Sequence, residues 1–121
     1  MTARVLIVDD NPANRKLLEV RLTTEYFEVL TESNGPDAIA MCEKSMCDIV
    51  LLDVMMPGKS GWEVARALKQ DPVTANVKIV MVSAIGEKTN EITAPIYGAD
   101  GHVDKPFEFE HLEGVISKLL A

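Results

Sequence analysis

Five polar residues stand at or just past the ends of separate apolar runs. They are three carboxylates, one hydroxyl and one ammonium, namely Asp9, Asp10, Asp53, Ser83 and Lys105. Two like charges about 4 Å apart repel by about 4 kcal/mol at an effective dielectric of 20, so clustered carboxylates need a cation to offset them. Carboxylate oxygens with room for water suit Mg²⁺. If the apolar runs lie side by side, the five residues together predict a magnesium site. Each residue also has an ordinary structural interpretation when it is taken alone. Asp10 could cap a helix, Ser83 could lie in a turn, and Lys105 could be a solvated surface charge.

The apolar runs that precede these residues have the pattern of buried parallel strands. Residues 5–8, 49–52 and 79–82 are unbroken apolar tetrads, which is typical of parallel strands covered on both faces. Segment 26–32 is mixed and segment 102–103 is very short, so we expect both to be edge strands.

Stretches of helical periodicity separate the apolar runs. The predicted helices cover 12–24, 36–44, 61–70 and a last segment with apolar residues at i, i+3, i+4, i+7 and i+8 from Leu112. The first helix is expected to turn Leu17, Leu18 and Leu22 inward. Segment 84–100 contains Pro95, which predicts a short or distorted helix. The alternation predicts five βα units, and therefore an α/β sandwich whose sites form beyond the carboxyl ends of a parallel sheet.

Length and composition bound the class of protein. The 121 residues, 47% of them hydrophobic, suit a single domain that we expect to span 1–121. The net charge of −7 would repel phosphate backbones, so neither nucleic acid nor an anionic membrane is an expected partner. The longest apolar runs are tetrads and no signal peptide is apparent, which predicts a cytoplasmic protein. Cys42 and Cys47 are expected to be small buried hydrophobes, with a disulfide or a metal site as the alternative.

Four segments together resemble the receiver domain of two-component response regulators, of the chemotaxis-regulator type. They are VLIVDD at 5–10, LLDVMMPGKSG at 51–61, Ser83-Ala84 and GADGHVDKP at 98–106. The intervals of 43, 30 and 22 residues that run from Asp10 through Asp53 and Ser83 to Lys105 are similar to the family's as well. The resemblance covers the whole chain and implies a flavodoxin-like (βα)5 three-layer sandwich with strand order 2-1-3-4-5. The stretch LLDVMMPGKSGWEV also looks like receivers found at the front of diguanylate cyclases.

The resemblance implies a phosphoacceptor rather than an enzyme with an external product. Asp53 would take a phosphoryl group from a phosphohistidine of a sensor histidine kinase or of a histidine phosphotransfer protein. Asp10, Asp53 and the backbone carbonyl of Met55 would ligate Mg²⁺, with Asp9 acting through water. Lys105 would pair with a phosphoryl oxygen.

The resemblance also implies a conformational switch. Ser83 would hydrogen-bond the phosphoryl group and move toward it, making room for the side chain at position 102. This chain departs from the family at that position, with His102 where Tyr or Phe is usual. Met55 and Ile85 cannot orient an attacking water, which predicts a long-lived acyl phosphate. Phosphorylation could drive dimer formation, and the output partner is not encoded in this sequence.

Other classes of protein fit the sequence less well. A Mg²⁺-dependent phosphohydrolase with an aspartyl intermediate would need an acid where the chain has Met55. A flavin-binding protein of the same fold would need a Ser/Thr-rich phosphate loop where the chain has Asp9, Asp10 and Asn11. The alternative to the phosphoacceptor is a receiver-like interaction module that works without phosphorylation.

Overall fold

The computed structural model describes residues 3–23, 27–54, 60–83, 99–105 and 107–120. Its five strands are β1 Ala3–Val8, β2 Phe27–Glu32, β3 Ile49–Asp53, β4 Lys78–Ser83 and β5 Gly101–Asp104. The helices in these residues are α1 Pro12–Leu22, α2 Gly35–Ser45, α3 Gly61–Gln70 and α4 Phe109–Leu120. Most of the segment expected to form a distorted helix, 84–98, lies outside the described residues. None of the described helices has the length and apolar character that crossing a membrane requires.

The strands form one parallel sheet in the order β2-β1-β3-β4-β5, which confirms the predicted fold class and topology. The edge positions of β2 and β5 agree with their mixed or short sequences. In register, Val8 of β1 pairs with Leu52 of β3, and Asp53 pairs with Val82 of β4. The residue that follows Val8 therefore lies level with Asp53 at the carboxyl end of the sheet.

Both faces of the central strands are covered, which explains the unbroken apolar tetrads. On one face, alternate residues such as Leu6, Leu52 and Met81 pack in a cluster with α2 and α3. On the other face, Ile7 and Leu51 pack in a cluster with α1 and α4. All five side chains are at most 1% exposed, and burying such a side chain contributes about 1.5–3 kcal/mol. The core therefore fixes the sheet on which any site at its rim depends.

Side-chain caps set where the helices begin. Asn11 Oδ1 accepts the backbone N–H groups of Ala13 and Asn14 at 2.9 and 3.2 Å, so Asn11 rather than Asp10 caps α1. α1 ends at Leu22 and not at residue 24, because Thr23 is already extended, with φ −67° and ψ 110°. The Asp10 carboxylate is thereby left for a role other than capping.

The inner face of α1 is narrower than the sequence pattern predicts. Leu18 and Leu22 are buried as expected, but Leu17 is 58% exposed. Leu18 and Leu22 are four residues apart and share one face, whereas Leu17 is turned by about 100° from Leu18. The expectation that Leu17 points fully inward is wrong.

The two cysteines are free and buried, as expected from the sequence. They belong to the cluster on the α2 and α3 side of the sheet. A hydrogen bond to Cys47, together with burial, raises the pKa of the Cys42 thiol above its ordinary value. Cys42 is therefore a protonated, packed side chain at physiological pH.

Candidate functional site

Three carboxylates gather at the carboxyl end of the sheet. Asp9 follows β1, Asp53 is the last residue of β3, and Asp10 follows Asp9. One oxygen of each lies within 4.8 Å of the other two. Asp9 and Asp53 are buried, with 4% and 8% of their surfaces exposed, whereas Asp10 is exposed. The structure thus brings together the three acids that the sequence predicted would meet.

Asp9 is held by hydrogen bonds from several directions. Its backbone N–H donates to the carbonyl of Glu32 at 3.2 Å, which continues the pairing of β1 with β2. Its Oδ1 accepts the N–H of Asn11 at 2.9 Å. Its carbonyl oxygen accepts a bond of 2.7 Å from Nη1 of Arg15 in α1. These contacts fix both the backbone and the carboxylate of Asp9.

Asp53 is positioned by the strand before it and by the helix after it. The N–H of Val54 donates to the carbonyl of Val82 at 3.1 Å, and the N–H of Gly61 donates to the carbonyl of Val54 at 3.1 Å. A Cβ at position 61 would collide with the carbonyl oxygen of Asp53 and lie 2.9 Å from Cα of Val54. Glycine at position 61 is therefore what lets α3 begin directly against the backbone of Asp53.

Lys105 supplies positive charge between the two buried acids. Its Nζ lies 3.5 Å from Oδ2 of Asp53 and 3.9 Å from Oδ2 of Asp9, and 28% of its side chain is exposed. The ammonium formally offsets one of the three carboxylate charges. Two negative charges are left, which a divalent cation would balance.

The carboxylate spacing fits Mg²⁺. An octahedral ion with oxygens at about 2.1 Å spaces adjacent ligands by about 3 Å and opposite ligands by about 4.2 Å. The observed limit of 4.8 Å therefore needs only a small contraction for direct binding, or a bridging water for one acid. Met55, whose carbonyl is the remaining expected ligand, lies outside the described residues.

The structure describes only the backbone at Ser83 and little around His102. Ser83 ends β4 and pairs in register with Asp104, so its backbone lies at the same rim as the acids. His102 is half-buried in β5 and pairs with Met81, which packs on the α2 and α3 side. The features expected at Ile85 and Pro95 fall outside the described residues, and the switch expected at Ser83 and His102 stays a prediction.

Sequence reasoning missed a cavity of about 530 Å³ that opens from the site between α1 and α4. Asp9, Asp53 and Lys105 line one end of it. The other lining residues are mostly apolar and include Leu17, Leu18, Val82, Phe107 and Phe109, with Asn14 and Arg21 as polar members. Arg21 lies over the ring of Phe109, with Cζ 4.2 Å from the ring centroid. The spacing of the α1 members at 14, 17, 18 and 21 is a helical face, and it is the one signal in the sequence that could have indicated this surface.

The fold and the site together define the class: an α/β protein with a parallel five-stranded sheet that carries an acidic cluster and a lysine at its carboxyl end. Comparison with known proteins then identifies the family. The model of the response regulator receiver domain matches residues 5–117. The chain belongs to this family of signalling domains, which confirms the resemblance seen in the sequence.

Individual relatives agree with this assignment. The chain is 45% identical over 108 residues to the response regulator PleD of Caulobacter vibrioides, which covers 89% of this chain and 24% of PleD. Chemotaxis protein CheY4 of Vibrio cholerae matches with a TM-score of 0.92 and 28% identity, over 99% of this chain and 100% of that one. Response regulator protein TrrA of Thermotoga maritima, solved in complex with Mg²⁺-BeF, matches with a TM-score of 0.86 and 34% identity, over 98% and 100% of the two chains. The chain spans between about a quarter and about half of the length of the curated relatives that it matches.

Proposed function

We propose that this chain, residues 1–121, is a single phosphoacceptor receiver in which Asp53 accepts a phosphoryl group from a phosphohistidine. The observation that carries the proposal is the position of Asp53, which is buried beside Lys105 and within 4.8 Å of two further carboxylates. A carboxylate in this setting is restrained, partly desolvated and next to groups that bind phosphoryl oxygens. The family assignment supports the same chemistry.

The phosphoryl transfer forms one bond and breaks one bond, and it needs no co-reactant besides the phosphohistidine and Asp53. A carboxylate oxygen of Asp53 attacks phosphorus in line, the P–N bond of the phosphohistidine breaks, and the electron pair returns to the leaving imidazole. Asp10, Asp53 and the carbonyl of Met55 would hold Mg²⁺, and Asp9 would hold it through water. When bound, the ion neutralises charge on the phosphoryl oxygens that the acids alone would repel.

Lys105 would change partners during the transfer. Before it, Nζ lies close to Asp53 and Asp9; after it, the ammonium would pair with a phosphoryl oxygen carried by Asp53. Ser83 would donate a hydrogen bond to another phosphoryl oxygen, and His102 would move inward as Ser83 leaves its place. These changes would alter the output surface, which binds a partner or a second phosphorylated copy.

The surface of α1 beside the site suits the phosphodonor. Leu17 and Val20 are 58% and 62% exposed, and Arg21 lies on the same helix. This face therefore offers exposed apolar side chains next to a cation, although the chain as a whole has a net charge of −7. A kinase or phosphotransfer helix that carries the phosphohistidine would contact this face while its imidazole reaches Asp53.

The acyl phosphate would be long-lived, because Met55 and Ile85 cannot orient the hydrolytic water. We expect the double variant Met55→Asn with Ile85→Glu to lose its phosphoryl group faster than the unmodified chain, as measured by the decay of the phosphorylated mass. An unchanged decay would contradict this part of the proposal.

The first experiment is phosphorylation by acetyl phosphate with and without Mg²⁺, read by intact mass. A single phosphoryl adduct should form on the unmodified chain only when Mg²⁺ is present, and Asp53→Asn should abolish it. Asp37→Asn is the matched control, since it makes the same chemical change at an exposed aspartate in α2 and should leave the adduct intact. Mg²⁺ binding is followed separately by the fluorescence of Trp62, which adjoins Gly61. Binding without an adduct would favour the interaction module that works without phosphorylation.

A further inference from the structure

The geometry points to Arg15 as a positioning residue of the acidic site: its guanidinium holds the Asp9–Asp10 peptide in the orientation that Mg²⁺ binding requires. The inference rests on the proposed use of Mg²⁺ at this site. Arg15 does not touch the reacting atoms, and it acts through the backbone of Asp9. Its place on α1 among exposed cations would otherwise suggest a role in docking a partner.

The side chain of Arg15 turns toward the backbone of Asp9 beside the site. Arg15 is half-buried, and its Nη1 reaches back six residues to donate to the carbonyl oxygen of Asp9 at 2.7 Å. Its own backbone N–H makes the first intrahelical bond of α1, to the carbonyl of Asn11 at 3.1 Å. The side chain thus ties a rigid helical position to the turn between β1 and α1. A charge-assisted bond of this length is among the stronger protein hydrogen bonds.

The bonded carbonyl belongs to the same planar peptide unit as the N–H of Asp10. Because a peptide unit is rigid, fixing the carbonyl oxygen of Asp9 also fixes the direction in which the chain enters Asp10. Asp9 is held further by the N–H of Asn11 on its carboxylate, but Asp10 is exposed and its placement depends on its backbone. Arg15 therefore aligns the exposed carboxylate with the two buried ones.

If Arg15 acted only through its charge, its removal would strengthen Mg²⁺ binding. Arg15 is a cation close to a cation site, so removing it would by itself lower the repulsion of Mg²⁺ and tighten binding. A positioning role predicts weaker binding when the guanidinium is lost. The sign of the change in Mg²⁺ affinity therefore separates the two roles.

Lys16 provides a matched control for charge. It is the next residue on α1 and carries the same charge, but its side chain is 73% exposed and lies 3.4 Å from Glu19 rather than against the site. Lys16→Met and Arg15→Met each remove one positive charge. Only Arg15→Met removes the bond to the carbonyl of Asp9.

The test is a Mg²⁺ titration of the unphosphorylated protein, read by Trp62 fluorescence and by calorimetry. We expect Arg15→Met to weaken Mg²⁺ binding by about three- to tenfold, at or below the lower end of the roughly 10- to 100-fold that outer groups around a metal site contribute. Lys16→Met should bind as the unmodified chain does or slightly more tightly, and Arg15→Lys, which keeps a donor and the charge, should recover most of the affinity. In metal-free protein, the amide chemical shift of Asp10 should move in Arg15→Met and not in Lys16→Met, because the lost bond is to the carbonyl of the same peptide unit.

Equal or tighter Mg²⁺ binding by Arg15→Met would overturn the inference while leaving the proposed function intact. Failure of the unmodified chain to bind Mg²⁺ at all would instead overturn the proposed function and this inference with it. If Arg15→Met does not fold, judged by far-ultraviolet circular dichroism, Arg15→Gln serves in its place, because its shorter amide cannot span six residues to the carbonyl. The same loss of affinity is expected from it, and unchanged affinity would count against the inference.

Discussion

Lys105→Met removes the cation that lies between two buried carboxylates, and its effect on stability should depend on Mg²⁺. In metal-free protein, Nζ of Lys105 is 3.5 Å from Asp53 and 3.9 Å from Asp9. Methionine keeps most of the length of the side chain but carries no charge. The repulsion between Asp9 and Asp53 would then be left without this counter-charge.

The size of the effect follows from the distances. At an effective dielectric of 20, charges at these two separations attract by about 4.7 and about 4.3 kcal/mol. Because 28% of the lysine side chain is exposed, water screens much of this attraction. The ammonium is also better hydrated in the unfolded chain, which reduces the net gain on folding. We expect a net loss of about 2 kcal/mol in the free energy of unfolding. For a domain of this size, that loss lowers the melting temperature by about 6–10 °C.

The assay is thermal unfolding in a metal chelator and again in saturating Mg²⁺. A bound divalent ion replaces the missing charge, so the variant should regain more stability from Mg²⁺ than the unmodified chain does, and it should bind Mg²⁺ more tightly. Lys118→Met, a substitution at an exposed lysine in the last turn of α4, is the control and should change neither quantity. A melting temperature of Lys105→Met in chelator equal to that of the unmodified chain would refute the reasoning, because it would mean that the ammonium does not offset the buried acids.

Three further predictions concern the glycine beside Asp53 and two contacts elsewhere in the fold. Gly61→Ala should lower the free energy of unfolding by about 1–3 kcal/mol and slow phosphoryl uptake, because its Cβ would meet the backbone of Asp53. Gly114→Ala has open space for its Cβ and should be neutral or stabilise by up to about 1 kcal/mol, so equal losses in urea unfolding would disprove the steric account. Asp100→Ala should lower the free energy of unfolding by about 1.5–3 kcal/mol. The Asp100 carboxylate lies 3.1 Å from Nζ of Lys69 in α3 and accepts the backbone N–H of Ile79 in β4 at 2.8 Å. An unchanged urea midpoint would argue against this prediction. The thiols of Cys42 and Cys47, which are 2% and 8% exposed, should react with an aromatic disulfide reagent only after unfolding. Rapid labelling of the native protein would contradict this and would show that the end of α2 opens.

The strands and the acidic cluster could be predicted because both depend on local pattern. An unbroken apolar tetrad specifies a strand covered on both faces, and Asp9 and Asp53 each come directly after such a tetrad. The parallel register then places them level, as the pairing of Val8 with Leu52 shows. Nothing beyond residue types and short spacings was needed for this part of the site.

The contact of Arg15 and the cavity between α1 and α4 could not be predicted in the same way. Which carbonyl a guanidinium reaches depends on the exact turn that joins β1 to α1, and several turns satisfy the same sequence. The exposure of Leu17 depends on how α1 is rotated against the sheet, which three leucines in one helix do not determine. These features follow from tertiary packing, so they appear only once the helices are placed.

The buried core, together with Lys105, holds the carboxylates close to one another. At the largest separation the structure allows, 4.8 Å, Asp9 and Asp53 still repel by about 3.5 kcal/mol at an effective dielectric of 20. The four core residues of β1 and the four of β3 that precede them are each at most 1% exposed, and at about 1.5–3 kcal/mol for each side chain their burial outweighs that repulsion several-fold, even if compact unfolded states reduce the total. The fold can therefore keep two like charges together without metal, and the repulsion that remains favours binding of a divalent cation. A phosphoryl group on Asp53 would add further negative charge to the same place, and Lys105 and a bound cation would offset it together.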